Sequence, residues 1–287
     1  MIIQSIVWDV GPWLIRFGDS FGIRWYGLLF ACVFLFGYFI FNRYFKKEGF
    51  TTETLDQLTL YMAIGTVVGA RLGHTLFYDA SYYLANPHEI LMIWKGGLAS
   101  HGGGIGILVA LWLFVRKYKL SYLWLIDRVS VVAALGGFFI RMGNLMNSEI
   151  YGRPTTLPWG FRFIRDKSRV NFYDSTTGEL IGKHLPCHPT QIYEALSYLV
   201  IFVVLFYAIR KYGDRLKDGV IFSWFLITVF SARFLIEFVK YEQSDFEINM
   251  INNLNLNMGQ LLSLPFVLSG IILLLVINKY GKSKIKT

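Results

Sequence analysis

The sequence predicts an all-α, polytopic integral membrane protein with about seven transmembrane helices and a small external domain between the fourth and fifth spans. Three observations predict it. Of 287 residues, 54% are hydrophobic and only 16% charged, against roughly a quarter charged in soluble domains. The chain holds 17 Tyr and 8 Trp, whose amphipathic rings favour membrane–water interfaces. Apolar runs of about the 20 residues that a bilayer core requires recur at 23–44, 57–78, 97–116, 121–142, 191–211, 217–240 and 259–279. The mean hydropathy, +0.46, agrees.

Along the chain, the opening MIIQSIVWDVGPW is too short an apolar stretch, and lacks the basic flank, for a cleavable signal to be expected. The second span carries Gly65, Gly69 and Gly73 at every fourth position, a spacing that lets helices approach closely in lipid. Asp127 and Arg128 interrupt the start of the fourth span, where charges near a helix end can snorkel or pair. Residues 143–190 form an external insert, within which RVNFYDSTTGELIGKHL alternates around a Thr-Gly turn and reads as a hairpin. No internal repeat or low-complexity tract divides the chain, so 1–287 is one membrane-embedded domain. Cys32 in an apolar run and Cys187 in a long loop should sit at different depths, which argues against a disulfide.

The net charge of +9 does not mark a nucleic-acid face, because the basic residues cluster in short connections between apolar runs. Arg43, Lys46 and Lys47, then Arg116, Lys117 and Lys119, then Arg210, Lys211, Arg215 and Lys217, and finally Lys279, Lys282, Lys284 and Lys286 all fall on one side of a seven-span chain. The positive-inside rule then puts the N-terminus outside and the C-terminus in the cytoplasm.

With that topology, the strongly polar side chains converge. Arg24, Trp25 and Tyr26 open the first span; Arg71 and His74 lie in the outer half of the second; His101 begins the third; Arg141 and Asn144 close the fourth. His188, Gln191, Tyr193 and Glu194 open the fifth, and Arg233 and Glu237 lie roughly 5–10 Å below the outer end of the sixth at 1.5 Å per residue. Spans running in opposite directions thus place their expensive groups in one outer layer. Each has a plainer reading. Arg233 and Glu237, four apart, can neutralise each other on one helix face. Arg141 with Asn144, Asn147 and Glu149 can be a helix end reaching water. His101 before Gly102, Gly103 and Gly104 can be a buried, hydrogen-bonded histidine, and HPTQIYE a helix start. Together they supply parts for a phosphate site: planar guanidinium forks, glycines that permit close backbone approach, and an imidazole that titrates near neutrality. No Cys–His cluster, H-E-x-x-H, P-loop or dinucleotide fingerprint occurs, so neither metal nor cofactor is expected. Ser100 adjoins His101 without a nucleophile elbow, which disfavours an embedded serine hydrolase.

These motifs resemble the prolipoprotein diacylglyceryl transferase family. The most specific match is GGFFIRMGNLMNSEIYGRPT (136–155), and IRWYGLLF, GARLGH, GGLASHGGGIG, HPTQIYEA, RFLIEF and MGQLLSLP follow the family's order over nearly the whole chain. The resemblance implies a transferase in the bacterial inner (cytoplasmic) membrane, N-terminus periplasmic, that acts in lipoprotein maturation. The diacylglyceryl group of phosphatidylglycerol passes to the lipobox cysteine thiol in a prolipoprotein signal peptide. A thioether forms and sn-glycerol 1-phosphate leaves. It implies catalytic roles for His101, Arg141, Arg233 and Glu237, with His101 or Glu237 as base, and substrate binding by Tyr26, Arg71, Asn144, Glu149 and Gly152. Two positions depart from the pattern: Val229 stands where members often carry Tyr, and Lys240 where an arginine is frequent. The rival reading from the residues alone is a transporter of an amphiphilic anion or lipid, although transporters commonly show internal repeats and midplane polar groups.

Overall fold

A backbone crossing lipid must satisfy its own N–H and C=O groups, which is why helix dominates this chain. The computed structural model describes residues 5–18, 21–166, 171–173, 180–241 and 256–280. The helices are α1 (Trp25–Lys47), α2 (Thr52–Phe77), the short α3 (Ala80–Ala85), α4 (Ser100–Tyr118), α5 (Tyr122–Met146), α6 (Thr190–Tyr212), α7 (Val220–Ile236) and α8 (Met258–Tyr280). Every expected span is a helix. Among the described residues, α1, α5, α6, α7 with the turn that follows it, and α8 are long and apolar enough to cross a membrane, so the protein is multi-pass. The other two expected spans, α2 and α4, are not in that group: glycines, threonines and charged residues dilute their apolar content.

The chain divides into two units, residues 36–129 and residues 1–35 with 130–287. In the first, α2 lies against α4 along the anticipated glycine stripe. A Cβ on Gly65 would stand 2.7 Å from Ala110 Cβ, one on Gly69 2.7 Å from Gly106 Cα, and one on Gly73 2.7 Å from Gly102 Cα. The two backbones therefore touch directly, the geometry by which helices gain dispersion contact in lipid. Thr51 caps α2, its hydroxyl accepting from the Thr54 N–H at 3.4 Å. Arg128 pairs with Glu48 (3.3 Å) and lies 3.8 Å from the Trp124 ring centroid, so the fourth span carries its charge by pairing.

In the second unit α7 packs against both α6 and α8. Lys217 closes the far end of α8 by donating to the carbonyls of Ile277 (3.1 Å) and Asn278 (2.9 Å), as a cation suits a helix C-terminus. Six short strands, most of them not foreseen, flank the helices: β1 (Ile6–Trp8), β2 (Trp13–Phe17), β3 (Phe21–Arg24), β4 (Phe161–Phe163), β5 (Asn171–Tyr173) and β6 (Leu180–Lys183) among the described residues. β5 and β6 pair antiparallel, as the hairpin reading expected; its turn lies outside the described residues. β2 and β3 pair antiparallel and lead straight into α1. β1 pairs parallel with β4, register Ile6↔Phe161, so the N-terminal segment joins the insert. Leu145, Tyr151, Phe161, Phe163 and Cys187 form a core there, with Trp8 against it. Trp8 stacks on Phe161 and donates its indole N–H to the Leu145 carbonyl at 3.0 Å.

Because backbone, not a flexible side chain, opposes Gly69, Gly69→Val should lose at least the ~1–3 kcal/mol typical of overpacking. Thermal unfolding in detergent measures this, with exposed Gly104→Ala, whose Cβ would meet nothing within 4 Å, as the neutral control.

Candidate active site

The last turn of α5 presents Arg141 and Asn144, three residues apart on one face. The Arg141 Nη1–H donates to Asn144 Oδ1 at 3.2 Å. Asn144 Nδ2 in turn donates to Glu149 Oε1 at 2.8 Å, and Asn147 Nδ2 does so at 3.1 Å. Glu149 stands between two residues of positive φ, Ser148 at 56° and Ile150 at 60°. For a β-branched residue this backbone is strained and must be held by its surroundings. The holders are buried side chains of α6: Gln191 Nε2 donates to the Glu149 carbonyl at 2.8 Å, and the Thr190 hydroxyl to the Ile150 carbonyl at 3.0 Å. Tyr26, placed in the first turn of α1 by the β2–β3 hairpin, lies on the same end of α5: a Cβ on Gly143 would meet its ring at 2.7 Å.

A line of ion pairs continues from Arg141. Its Nε stands 2.9 Å from Oε2 of Glu194, a side chain with no exposed surface. The other oxygen, Oε1, lies 3.5 Å from Lys240 Nζ and accepts from the Tyr198 hydroxyl at 3.5 Å. Lys240 Nζ donates to Glu237 Oε1 at 2.9 Å. Arg233 Nη2 is 3.8 Å from that same oxygen, and its side chain is 31% exposed. Asn257 donates to both the carbonyl and the Oε2 of Glu237, at 3.1 and 3.3 Å. Arg233 and Glu237 thus pair at their i,i+4 spacing, but Glu237 has a closer cation in Lys240. Gly152 supports this line through its backbone. It forms an antiparallel bridge with Lys240 and donates its N–H to the His188 carbonyl at 2.8 Å. A Cβ there would meet His188 Cβ at 2.7 Å and Thr190 Cγ2 at 2.8 Å.

Of the expected site residues, Tyr26, Arg141, Asn144, Glu149, Gly152, Arg233 and Glu237 belong to this unit, while Arg71 and His101 belong to the other. Arg71, expected to bind substrate, is buried and spends its guanidinium on backbone carbonyls: Ile90 (2.9 Å), Gly96 (2.5 Å), Gly97 (3.1 Å) and Glu89 (2.6 Å). It clamps the segment before α4, assisted by the Tyr83 ring 5.0 Å away. His74 stacks on Tyr78 beside it. His101 is exposed in the first turn of α4, at a cavity of about 270 Å³ lined also by Gly73, Phe77, Tyr78 and Ile105. It is not the buried histidine of the plainer reading. In the second unit, burial holds the His188 imidazole below the usual histidine range, and its Nδ1 is 3.3 Å from the Tyr193 hydroxyl.

Glu194, Lys240 and Tyr198 carry more of this line than their sequence context suggests. A carboxylate five residues into an apolar helix was the available signal for Glu194, since such a group demands a buried partner. Tyr198 and Asn257 left no such trace.

Chemically, three cations against two carboxylates along this line favour an anionic guest, and the forks of Arg141 and Arg233 suit phosphate oxygens. Comparison with known proteins bears on the guest. The family model described as prolipoprotein diacylglyceryl transferase matches residues 12–276. The phosphatidylglycerol–prolipoprotein diacylglyceryl transferase of Tolumonas auensis is 47% identical over 275 residues, covering 96% of this chain and 98% of its own length. The protein of the same name from Porphyromonas gingivalis is 46% identical over 274 residues, 94% of both chains, and that of Chloroherpeton thalassium 42% identical over 270 residues.

Removing one member of a buried ion pair leaves the others uncompensated, at a typical cost of ~3–5 kcal/mol. Glu194→Leu should therefore lower the thermal unfolding midpoint far more than Glu194→Gln, which keeps the shape and part of the hydrogen bonding. A wild-type midpoint for Glu194→Gln, which removes the charge, would show that the charge does not matter.

Proposed function

The chain belongs to the prolipoprotein diacylglyceryl transferase family, and from that premise we propose how its residues carry the reaction. The protein is a membrane-embedded transferase that moves the diacylglyceryl group of phosphatidylglycerol to prolipoprotein. In our reading, the substrate's lipobox thiol attacks the glyceryl carbon that bears the phosphate ester. The C–S bond forms as the C–O bond breaks, the electron pair passes to the phosphate oxygen, and sn-glycerol 1-phosphate leaves. The thiol proton passes to a base, His101 or Glu237. A free thiol has a pKa of about 8.5 and is mostly protonated at neutral pH, so a base has work to do.

The observation that carries this reading is the line Arg141–Glu194–Lys240–Glu237–Arg233, with an arginine at each end. Both guanidinium groups are held by carboxylates, so their orientation does not have to be found after the lipid binds. Where water is scarce, one such donor to a developing negative charge is worth about 3 kcal/mol. Tyr26, Asn144 and Glu149 line the Arg141 end and are assigned to substrate binding, as is Gly152, whose backbone bridges to Lys240. Arg71 serves in this scheme by clamping residues 89–97 rather than by touching lipid. The enzyme resides in the bacterial inner membrane, N-terminus periplasmic and C-terminus cytoplasmic, with 143–190 a periplasmic insert in a single catalytic domain. The basic clusters of the connections support this orientation.

Two measurements test the scheme. Reporter fusions after Lys47, Lys117 and Lys217 should all read cytoplasmic; one periplasmic signal among them overturns the orientation. Arg141→Lys and Arg233→Lys keep the charge and lose the planar fork. Both should lower turnover by about a hundredfold, with a smaller effect on the lipid KM, because a clamp on developing charge acts in the transition state. The assay is transfer from labelled phosphatidylglycerol to a lipobox peptide in nanodiscs, normalised to folded protein. Near-wild-type turnover of either variant removes the clamp from the mechanism.

A further inference from the structure

We propose that Lys240 is a positioning residue that ties the two arginines into one unit. The proposal rests on the reading of Arg141 and Arg233 as a phosphate clamp. Its basis is connectivity. Arg141 is held by Glu194 on α6, and Arg233 by Glu237 at the end of α7. The Lys240 ammonium is the group between these two carboxylates, 3.5 Å from Glu194 Oε1 and 2.9 Å from Glu237 Oε1. Its side chain is only 4% exposed, so water does not screen these pairings.

The backbone of Lys240 is fixed as well. Its N–H donates to the Glu237 carbonyl at 3.2 Å, the residue bridges to Gly152, and the Arg153 N–H donates to the Val239 carbonyl at 2.9 Å. The side chain thus springs from a backbone anchored to the segment that follows Glu149. Its direct partners are Glu194 of α6 and Glu237 just after α7; those carboxylates also meet Arg141 of α5, Tyr198 of α6, Arg233 of α7 and the neutral Asn257. Two carboxylates that share one cation are held at a set separation, and each passes that separation to its arginine. Without the ammonium they repel one another and their arginines become independent. A clamp for one phosphate needs its two forks at a fixed distance, since small misplacements cost catalysis steeply. An arginine at this position has the charge and reach to make both contacts, whereas an apolar side chain of the same length has neither.

The test uses the full-length protein in nanodiscs with phosphatidylglycerol and a lipobox peptide. Lys240→Met should lower kcat about tenfold or more while the phosphatidylglycerol KM moves less than about threefold, and Lys240→Arg should stay within about threefold of wild type. Inhibition by glycerol 1-phosphate reads the clamp without chemistry: its Ki should rise with Lys240→Met and return with Lys240→Arg. If Lys240→Met does not fold, the double variant Glu194→Gln with Lys240→Met removes one charge of each sign; it should fold and remain slow. Wild-type kcat in a folded Lys240→Met or double variant overturns the proposal, as does Lys240→Arg proving as slow as Lys240→Met. These outcomes are separable from failure of the clamp itself, which shows as retained turnover in Arg141→Lys or Arg233→Lys whatever Lys240 does.

Discussion

Glu194 has no exposed surface, and a carboxylate in that position is tolerable only with cations at hand. Moving an ion out of water costs several kcal/mol even after the protein relaxes, and partners must return most of it. Arg141 and Lys240 are those partners. Their need is mutual, since neither cation is well hydrated where it stands. The result is that α5, α6 and the segment after α7 must converge at one end, whatever their apolar faces prefer. Apolar helices in lipid have little hydrophobic reason to choose one rotation over another. A buried polar line supplies that choice, and its two arginines are the groups proposed to meet the phosphate.

The other unit reaches definite structure by different means. Between α2 and α4 the side chains are largely absent, and the helices register through backbone contact at Gly65, Gly69 and Gly73. The segment that follows α3 would be irregular backbone with unsatisfied carbonyls. Arg71 resolves this, because a guanidinium offers five N–H groups in a fixed fork and here serves carbonyls on both sides of a turn. Gly96 and Gly97 make that turn possible with φ of 86° and 74°, values that disfavour side chains. A buried arginine in a membrane protein can therefore be an architectural donor.

That distinction explains where the sequence was legible. Helix positions were readable because apolar length is a crude, robust signal, and the polar residues that pair because each charge in an apolar run is costly. Arg141, Asn144 and Glu149 do share a hydrogen-bonded chain, and Arg233 and Glu237 do share a face. What could not be read was the assignment of partners. Arg71 and Arg141 look alike in sequence, yet one binds carbonyls and the other a carboxylate. Glu237 had an obvious partner four residues earlier, but the closer cation is Lys240, on the next turn of chain. β1 was hidden for a similar reason: a three-residue strand has almost no periodic signature, and its partner lies far along the chain.

That last pairing governs the order of assembly. β1 cannot close on β4 until Phe161–Phe163 has been made, 155 residues after Trp8, or roughly 8–30 s of synthesis at about 5–20 residues per second. During that interval Ile6, Val7 and Trp8 have no sheet partner, and the indole of Trp8 lacks both its stacking ring and its Leu145 carbonyl. A leading segment that must wait for a distant strand has to be kept apart from other chains meanwhile. Because β1 docks only on a strand that follows α5, its closure also marks the point at which the first four long helices have been synthesised. β1 thus waits for α5 and β4, but can close before α6, α7 and α8 have been made.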